Sequence, residues 1–338
     1  MNLFSTEQVS KWHPDKYADQ ISDALLTEYL KQDKYSHCGI EAMVKNDKVV
    51  IAGEIKSNAK IDRSEVVHAV AEKLGYDCST VIDIISEQSP EIDEAVTRLE
   101  TIGAGDQGMM YGYATVETSS RLPFGFDFAN KIIDCLAQQV GKSCLLGDAK
   151  TQVTVDLEKK GMDSLHTIVI SACHRGTLAD CQEAVREAIE PLQIPQSARV
   201  VINPSGAWRI GGPTADCGLT GRKIVCDQYG GYCPVGGGAF SGKDPTKVDR
   251  SGAYMARHIA KELLEESEYL TWVEVQLAYA IGVSQPVSIN VKSNEERMNE
   301  FLSKYLKRTY DLTPNGMINF LHLYDVDYGT LAEGCHYR

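Results

Sequence analysis

The residues with the clearest chemistry lie in one glycine-rich segment, residues 236–252, GGGAFSGKDPTKVDRSG. Glycines let a backbone approach a ligand closely, lysines suit phosphate, and aspartates suit a hard cation such as Mg²⁺. The segment matches the P-loop pattern G-x-x-x-x-G-K-(S/T) at Gly237, Gly242 and Lys243, but Asp244 stands where the metal-binding Ser or Thr belongs. The pattern therefore predicts polyphosphate binding by a route other than the usual P-loop.

Four further stretches carry residues of the same kind, and each also has a purely structural interpretation. Residues 13–16 (HPDK) either cap a helix or present a His, a Lys and a metal-binding Asp to phosphate. Residues 103–108 (GAGDQG) form either a tight turn or a close backbone approach to a ligand. Residues 147–150 (GDAK) precede a strand, where a lysine is more often a solvated charge. Residues 216–223 (DCGLTGRK) add an Arg and a Lys that suit phosphate oxygens.

Taken together, these stretches supply more than a monophosphate needs. They contain one histidine and four acids beside glycine turns, with five basic residues: Lys150, Arg222, Lys223, Lys243 and Lys247. A triphosphate bound with divalent cations needs about that inventory. The sequence also lacks a G-x-S-x-G elbow, an H-E-x-x-H pair and the kinase signatures, which removes the commonest hydrolase and kinase templates.

The composition limits the class of protein that positions these residues. The 338 residues are enough for two or three domains, and a formal net charge of −13 argues against nucleic-acid and anionic-membrane partners. No apolar run is long enough to span a membrane, and the first twelve residues lack the apolar core of a signal peptide. The ten cysteines include no C-x-x-C pair. We therefore expect a cytoplasmic protein with reduced thiols.

Hydrophobic periodicity predicts an α+β fold in which hairpins are followed by helices. Ser-Pro and Gly-Gly-Pro punctuation near residues 90–103 and 210–215 suggests three successive sheet-plus-helix units, with domains at 1–90, 103–211 and 212–338. We expect helices at 15–32, 63–74, 178–189 and 294–306, and strands within 40–55 (a hairpin turning at Asn46-Asp47), at 151–157, 166–172, 273–280 and 286–291.

Five blocks of this sequence together resemble one known family. HPDKYADQISDALL, GAGDQGMMYGYA, DAKTQVTV, DCGLTGRKIV and GGGAFSGKDPTKVDRS are similar to blocks of the S-adenosylmethionine synthetases (methionine adenosyltransferases), in the same order over roughly residues 3–290. The resemblance implies three α+β domains with pseudo-threefold symmetry, in a homodimer or homotetramer with active sites between subunits. It also implies that the sulfur of L-methionine attacks C5′ of ATP, and that the released triphosphate is hydrolysed to pyrophosphate and phosphate. Two Mg²⁺ ions and one K⁺ per site would assist.

The resemblance also assigns roles to single residues of this chain. His13 and Lys150 would stabilise the leaving oxygen and the triphosphate, Asp15 would bind Mg²⁺, and Glu41 would bind K⁺. A flexible loop at 88–101 would gate the site. The other positions would bind phosphate or substrate, with Arg222 and Lys243 counted as catalytic: Arg222, Lys243, Glu54, Gln88, Asp106, Asp148, Trp208, Asp216, Lys223, Ala239, Lys247 and Asp249.

The chain departs from the family pattern at several places. Ala207-Trp208 stands where an Arg-Phe pair is common, so an aromatic ring for adenine is kept while a cation is lost. Val235 replaces a frequent His before the triple glycine. These departures leave an alternative open, a catalytically silent homologue that binds nucleotide and regulates a partner. A P-loop phosphotransferase is disfavoured by Asp244.

Overall fold

The computed structural model describes residues 1–87 and 103–338. Its strands are β1 (Leu3–Val9), β2 (His37–Lys45), β3 (Lys48–Lys56), β4 (Thr80–Glu87), β5 (Gly108–Thr115), β6 (Leu145–Asp156), β7 (Leu165–His174), β8 (Arg199–Ile202), β9 (Gly218–Leu219), β10 (Trp272–Tyr279) and β11 (Ser288–Ser293). Its helices are α1 (Pro14–Gln32), α2 (Arg63–Leu74), α3 (Phe124–Ala137), α4 (Leu178–Ile189), α5 (Gly212–Ala215), α6 (Ile224–Asp227), α7 (Val248–Glu266), α8 (Glu296–Thr309), α9 (Pro314–Phe320) and α10 (Tyr328–Leu331).

The order of these elements repeats along the chain. A long helix, an antiparallel hairpin, a second helix and a parallel strand follow one another as α1-β2-β3-α2-β4 and again as α3-β6-β7-α4-β8. The third copy, α7-β10-β11-α8, lacks the parallel strand after its second helix within the part of the chain that the structure describes. In each copy the two helices and the hairpin enclose a separate hydrophobic core. The molecule is therefore three related two-layer units, and the predicted α+β class is confirmed.

Each sheet also takes one strand from outside its own copy of the repeat. A strand precedes each long helix, and it pairs with the hairpin of the next copy: β1 with β6, β5 with β10, and β9 with β2. The sheet orders are β1-β6-β7-β8, β5-β10-β11 and β9-β2-β3-β4. The exchange closes on itself, because the third copy returns its strand to the first. The three sheet-plus-helix units are therefore not independent, since each sheet contains one strand from another copy, a feature that the sequence did not predict.

The individual elements agree well with the periodicity. The helices expected at 63–74 and 178–189 have those bounds, and the one expected at 15–32 begins one residue earlier, at Pro14. Asp62 caps α2, Gly75 ends it with φ 73°, and Thr177 begins α4 with a capping box.

Three sequence expectations need correction or stay open. Residues 147–150 lie inside β6 instead of before it, because the strand begins at Leu145. The last strand, Ser288–Ser293, lies two residues later than expected, and the helix Glu296–Thr309 begins two and ends three residues later than expected. The domain limits 1–90, 103–211 and 212–338 stay predictions, and the expected loop 88–101 lies almost entirely outside the described residues. Within the described residues, no helix is both long enough and apolar enough to cross a membrane.

Candidate functional site

The first group of site residues forms at the amino end of α1. The His13 side chain caps this helix, with Nδ1 accepting a hydrogen bond from the Asp15 backbone N–H at 3.1 Å. Since Nδ1 accepts, the proton of a neutral imidazole is on Nε2, which is then free to donate. Burial and the nearby Lys223 ammonium lower the pKa of His13 to about 4. His13 is therefore a neutral hydrogen-bond donor near pH 7, not a cation.

Two cations from the segment after β9 meet Asp15. The Lys223 ammonium lies 2.6 Å from Asp15 Oδ2, and Arg222 Nε lies 3.6 Å from Oδ1. Leu219 N–H also donates to Oδ1 at 3.0 Å. Burial opposes ionisation of Asp15, but Lys223 and the Leu219 N–H outweigh it and lower its pKa. Asp15 is thus a carboxylate anchored between α1 and the cationic segment.

Glycine is required where β9 meets the start of α1. A Cβ added at Gly218 would lie 2.0 Å from the Pro14 carbonyl oxygen. Real Cβ atoms do not approach backbone so closely, so Gly218 sets the contact between β9 and the start of α1. The DCGLTGRK block therefore owes its first glycine to a close backbone approach.

The central strand β6 adds an acid and a base to the first group. Asp148 is buried and accepts a hydrogen bond from Gly212 N–H at 2.6 Å, while its other oxygen has no hydrogen-bond partner among the described residues. Burial raises the pKa of Asp148 to about 6, against the opposing effects of the Gly212 N–H and Lys150. Lys150 is exposed, and both it and Asp216 act electrostatically on His13. These residues therefore share one electrostatic environment.

A second group forms where the 236–252 segment lies along β2. Gly39 and Lys243 form an antiparallel bridge, and Ile40 N–H donates to the Gly242 carbonyl at 3.0 Å. Beside this contact is a cavity of about 370 Å³ that several predicted site residues line: Glu41, Glu54, Ala239 and Lys243. The Lys243 ammonium forms an ion pair with the Asp249 carboxylate. The second group thus joins acids from the first hairpin to the lysine of the P-loop-like segment.

Asp244, the residue that breaks the P-loop pattern, has a structural role. Its buried carboxylate accepts hydrogen bonds from the Cys38 N–H at 2.8 Å and from the Thr246 hydroxyl at 2.6 Å. The Lys247 ammonium lies 2.9 Å away. Burial opposes ionisation, yet Lys247 and His37 outweigh it and lower the pKa of Asp244. Asp244 therefore fastens the segment to β2, and Lys247 is partly engaged in that contact.

Other expected site residues that the structure describes, Asp106 and Trp208, form hydrogen bonds to neither of the two groups through their side chains. Asp106 is exposed, and its carboxylate bonds to its own neighbour, the Gln107 N–H, at 2.7 Å. The adjacent Gly105 does approach Lys247, since a Cβ there would lie 3.9 Å from its Cδ. The Trp208 indole donates to the Ile210 carbonyl at 2.6 Å, beside the end of β7. Gln88 lies outside the described residues.

Sequence reasoning named Asp15 but missed two buried acids that follow it on α1, Asp19 and Asp23. Asp15, Asp19 and Asp23 are four residues apart on α1, so they lie on one helix face. Asp19 accepts a hydrogen bond from Gly221 N–H and Asp23 from Gly242 N–H, both at 2.8 Å. The available signal was the four-residue spacing of three aspartates, which puts them on one helix face. Such a charged stripe is usually exposed to solvent, so the spacing alone did not indicate burial. Here the stripe receives the backbone of the two glycine-rich segments.

The acids present could hold a metal only together with a ligand. No group of three or more His, Cys, Asp or Glu side chains is placed to hold an ion anywhere in residues 1–87 or 103–338. Mg²⁺ commonly takes one or two carboxylates and completes its shell with substrate phosphates and water. Asp15 could supply one such carboxylate once the Lys223 ammonium, now 2.6 Å from its Oδ2, moves to a phosphate oxygen. Glu41, on the cavity wall near Glu54, offers a carboxylate oxygen to a larger cation.

Fold and site together define a class, an α+β protein of three strand-exchanging repeats with a cationic, glycine-lined site between the first and third. Family models of S-adenosylmethionine synthetase match the whole chain in three parts: the N-terminal domain over residues 1–98, the central domain over 101–208 and the C-terminal domain over 210–338. The chain therefore belongs to the S-adenosylmethionine synthetase family, a family of enzymes.

Individual relatives agree with this membership. S-adenosylmethionine synthase from Helicobacter pylori is 42% identical over 99% of this chain and 92% of the relative. The synthase from Helicobacter acinonychis is 41% identical with the same coverage. Among solved structures, one described as an unusual S-adenosylmethionine synthetase from Campylobacter jejuni superposes with a TM-score of 0.89 at 35% identity, over 98% of this chain and 94% of that one.

Proposed function

We propose that this chain is an active methionine adenosyltransferase, which makes S-adenosylmethionine from ATP and L-methionine. The methionine sulfur forms a bond to C5′ of ATP, and the C5′–oxygen bond breaks as the triphosphate leaves with the electron pair. The observation that carries the proposal is the first site group: His13, Arg222 and Lys223 gather around Asp15 at the start of α1.

The chemistry of this step fits the side chains that are present. Neutral sulfur needs no general base to attack an sp³ carbon. The step needs alignment, and it needs stabilisation of the negative charge that builds on the leaving triphosphate. His13 Nε2–H can donate to the leaving oxygen, and four cations can neutralise the phosphates: Lys150, Arg222, Lys223 and Lys243. The triphosphate is then hydrolysed to pyrophosphate and phosphate.

The remaining site residues would bind the substrates. Glu54 lines the cavity beside Lys243, and we assign it and Gln88 to methionine. Acids near the adenosine and the amino group would be Asp106 and Asp216, and Trp208 offers a ring to adenine. The other substrate-binding positions proposed from the matching blocks are Asp148, Ala239, Lys247 and Asp249.

Mg²⁺ and K⁺ belong to the proposal. Bound Mg²⁺ would neutralise phosphate charge, and Asp15 would hold it together with the substrate oxygens. Glu41 would hold K⁺ at the cavity wall. We expect two Mg²⁺ ions and one K⁺ per site.

Self-association is also proposed, as a homodimer or homotetramer with active sites between subunits. The outer face of the sheet β9-β2-β3-β4 exposes large apolar side chains: Met43, Ile82, Ile84 and Leu219. Met43 lies opposite Leu219, and Ile82 and Ile84 continue the row through β3 and β4. Glu41 lies on the same strand face, so a second copy covering this surface would border the cavity.

Nucleic acid and membranes are not expected partners. A cytoplasmic location stays part of the proposal, because it would keep free thiols such as Cys38 and Cys226 reduced.

Product analysis tests the proposal against its rivals. The chain is incubated with ATP, L-methionine, Mg²⁺ and K⁺, and the products are identified by mass spectrometry and phosphate analysis. We expect S-adenosylmethionine together with equal amounts of pyrophosphate and phosphate. Unchanged ATP would indicate the silent regulatory homologue, and ADP would indicate a phosphotransferase; either result contradicts the proposal.

A further inference from the structure

A buried ion pair joins the first and third repeats directly behind the second site group. Asp23 of α1 and Arg250 of α7 are both fully buried, and they meet in a two-pronged contact. Arg250 Nη1 donates to Asp23 Oδ1 at 2.9 Å, and Nη2 donates to Oδ2 at 2.5 Å. This geometry matches the planar guanidinium to the carboxylate, which a lysine ammonium could not reproduce.

The same pair also holds the backbone of the residue that lines the cavity. Asp23 Oδ1 accepts a hydrogen bond from Gly242 N–H at 2.8 Å, and Arg250 Nη1 donates to the Lys243 carbonyl at 3.0 Å. The peptide groups of residues 242 and 243 are therefore held from two sides. Gly242 adds a constraint, because its φ is +80° and a Cβ there would lie 1.8 Å from the Ile40 carbonyl oxygen.

The pair is poorly explained by stability alone. Two charges removed from water are often no more stabilising than apolar residues of similar volume. Here each charged side chain also makes one hydrogen bond to the backbone of residues 242–243. Arg250 also stacks on the Tyr328 ring, with its guanidinium carbon 4.3 Å from the ring centroid. The guanidinium is thus fixed in place, and it fixes Lys243 in turn.

We propose that Asp23 and Arg250 are positioning residues that set the location of the Lys243 ammonium against the leaving triphosphate of ATP. Neither side chain reaches the cavity itself, so both act through Lys243. This inference rests on the proposed function, in which Lys243 neutralises the leaving triphosphate. A misplacement of about 1 Å in such a site can cost about 100-fold in rate.

The experiment is a double-mutant cycle in kcat, using Arg250→Lys and Lys243→Ala singly and together. Arg250→Lys keeps the charge and loses the two-pronged contact, and we expect kcat to fall by about 10- to 100-fold with a smaller change in KM. In the Lys243→Ala background the same substitution should cost no more than about twofold, because the group it positions is gone. A full additional loss in that background would overturn the proposal, and so would near-normal kcat in Arg250→Lys alone.

A matched control separates positioning from damage to the fold. Arg257 lies two turns later on α7, is similarly buried, and donates to the carbonyls of Ser120 and Arg121 instead. Arg257→Lys should leave kcat within about twofold at a comparable change in Tm. If Arg250→Lys does not fold, Asp23→Asn replaces it in the cycle with the same expectations, because it keeps an acceptor for Gly242 and loses the charge.

A binding readout keeps failure of the inference distinct from failure of the proposed function. Wild-type chain that makes no S-adenosylmethionine would overturn the proposed function. In that case the same double-mutant cycle is measured by binding instead of kcat. The quantity compared is the affinity for inorganic tripolyphosphate with Mg²⁺, determined by calorimetry without methionine. Equal losses from Arg250→Lys with and without Lys243 would overturn the positioning role in that assay as well.

Discussion

Lys243→Ala is the sharpest test of the candidate site, because the side chain and the backbone of Lys243 make different contacts. The backbone is held by Asp23, by Arg250 and by the bridge to Gly39. The side chain is 29% exposed, lines the cavity, and pairs with Asp249. The substitution therefore removes one positive charge and leaves its anchors in place.

The magnitude follows from that geometry. A unit charge about 4 Å from a phosphate oxygen is worth about 4 kcal/mol at an effective dielectric constant of about 20. Partial exposure reduces this figure, and single donors at developing charge are worth about 10²- to 10³-fold in kcat. We expect kcat to fall within that range, with a smaller effect on KM because the charge develops in the transition state. Stability should change by less than about 1 kcal/mol, since a partly exposed ion pair contributes little.

The assay measures S-adenosylmethionine formation at saturating ATP and methionine, with denaturant unfolding of the same samples. Lys304→Ala is the matched control, because Lys304 is a solvent-exposed lysine paired with Glu300 on α8. It should leave kcat unchanged. Turnover of Lys243→Ala within about threefold of wild type would refute the role given to Lys243. A large loss of stability in that variant would refute the backbone argument.

Three further outcomes are expected. Asp148→Asn should stabilise the fold by up to about 3 kcal/mol above pH 6 and not below pH 4, because the pKa of the folded carboxyl is raised to about 6 and its ionisation is unfavourable. Urea unfolding above pH 6 and below pH 4 measures this difference. Equal stability of the variant and the wild type at pH 8 would contradict it. Gly218→Ala should lower Tm and activity together, because its Cβ would meet the Pro14 carbonyl, whereas Gly334→Ala, with nothing near its Cβ, should be neutral. Wild-type stability should decrease between pH 6.5 and pH 4 in part because His13, with its pKa lowered to about 4, protonates more readily unfolded; His13→Asn should show a smaller decrease in the same window.

Local patterns predicted most helices and hairpins because their causes are local. The helix at 63–74 has a cap at Asp62 and a left-handed Gly75 at its ends, and both signals are visible in the sequence. The hairpin around Asn46-Asp47 was likewise readable, and Asn46 has a positive φ of 54°. The exchange of β1, β5 and β9 between repeats could not be predicted from the sequence. It depends on pairing between residues far apart, such as Val9 with Lys150, and no local signal specifies the partner.

The residue types of the candidate site follow from the sequence, but their arrangement follows only in part. Lysines beside glycines indicated phosphate, but the sequence could not separate Asp244, which fastens a loop, from Asp15, which meets cations at the site. Both are aspartates next to a lysine. The distinction lies in what covers each carboxylate, and that is set by long-range packing. Asp23 and Arg250 were missed for the same reason, since their contact spans 227 positions in the chain.

The near-miss to a P-loop is explained by this topology. A P-loop cradles phosphate with backbone N–H groups between one strand and one helix, so its chemistry is local. Here the N–H groups of Gly221 and Gly242 are instead bonded to Asp19 and Asp23, and so they are not available to a phosphate. A Cβ at Gly221 would meet Ala239, and one at Gly242 would meet the Ile40 carbonyl of β2, so both glycines serve close packing. The cationic side chains are what remain to meet an anion. The proposed phosphate site takes residues from the first and third repeats, so its geometry depends on the packing of those two repeats against each other.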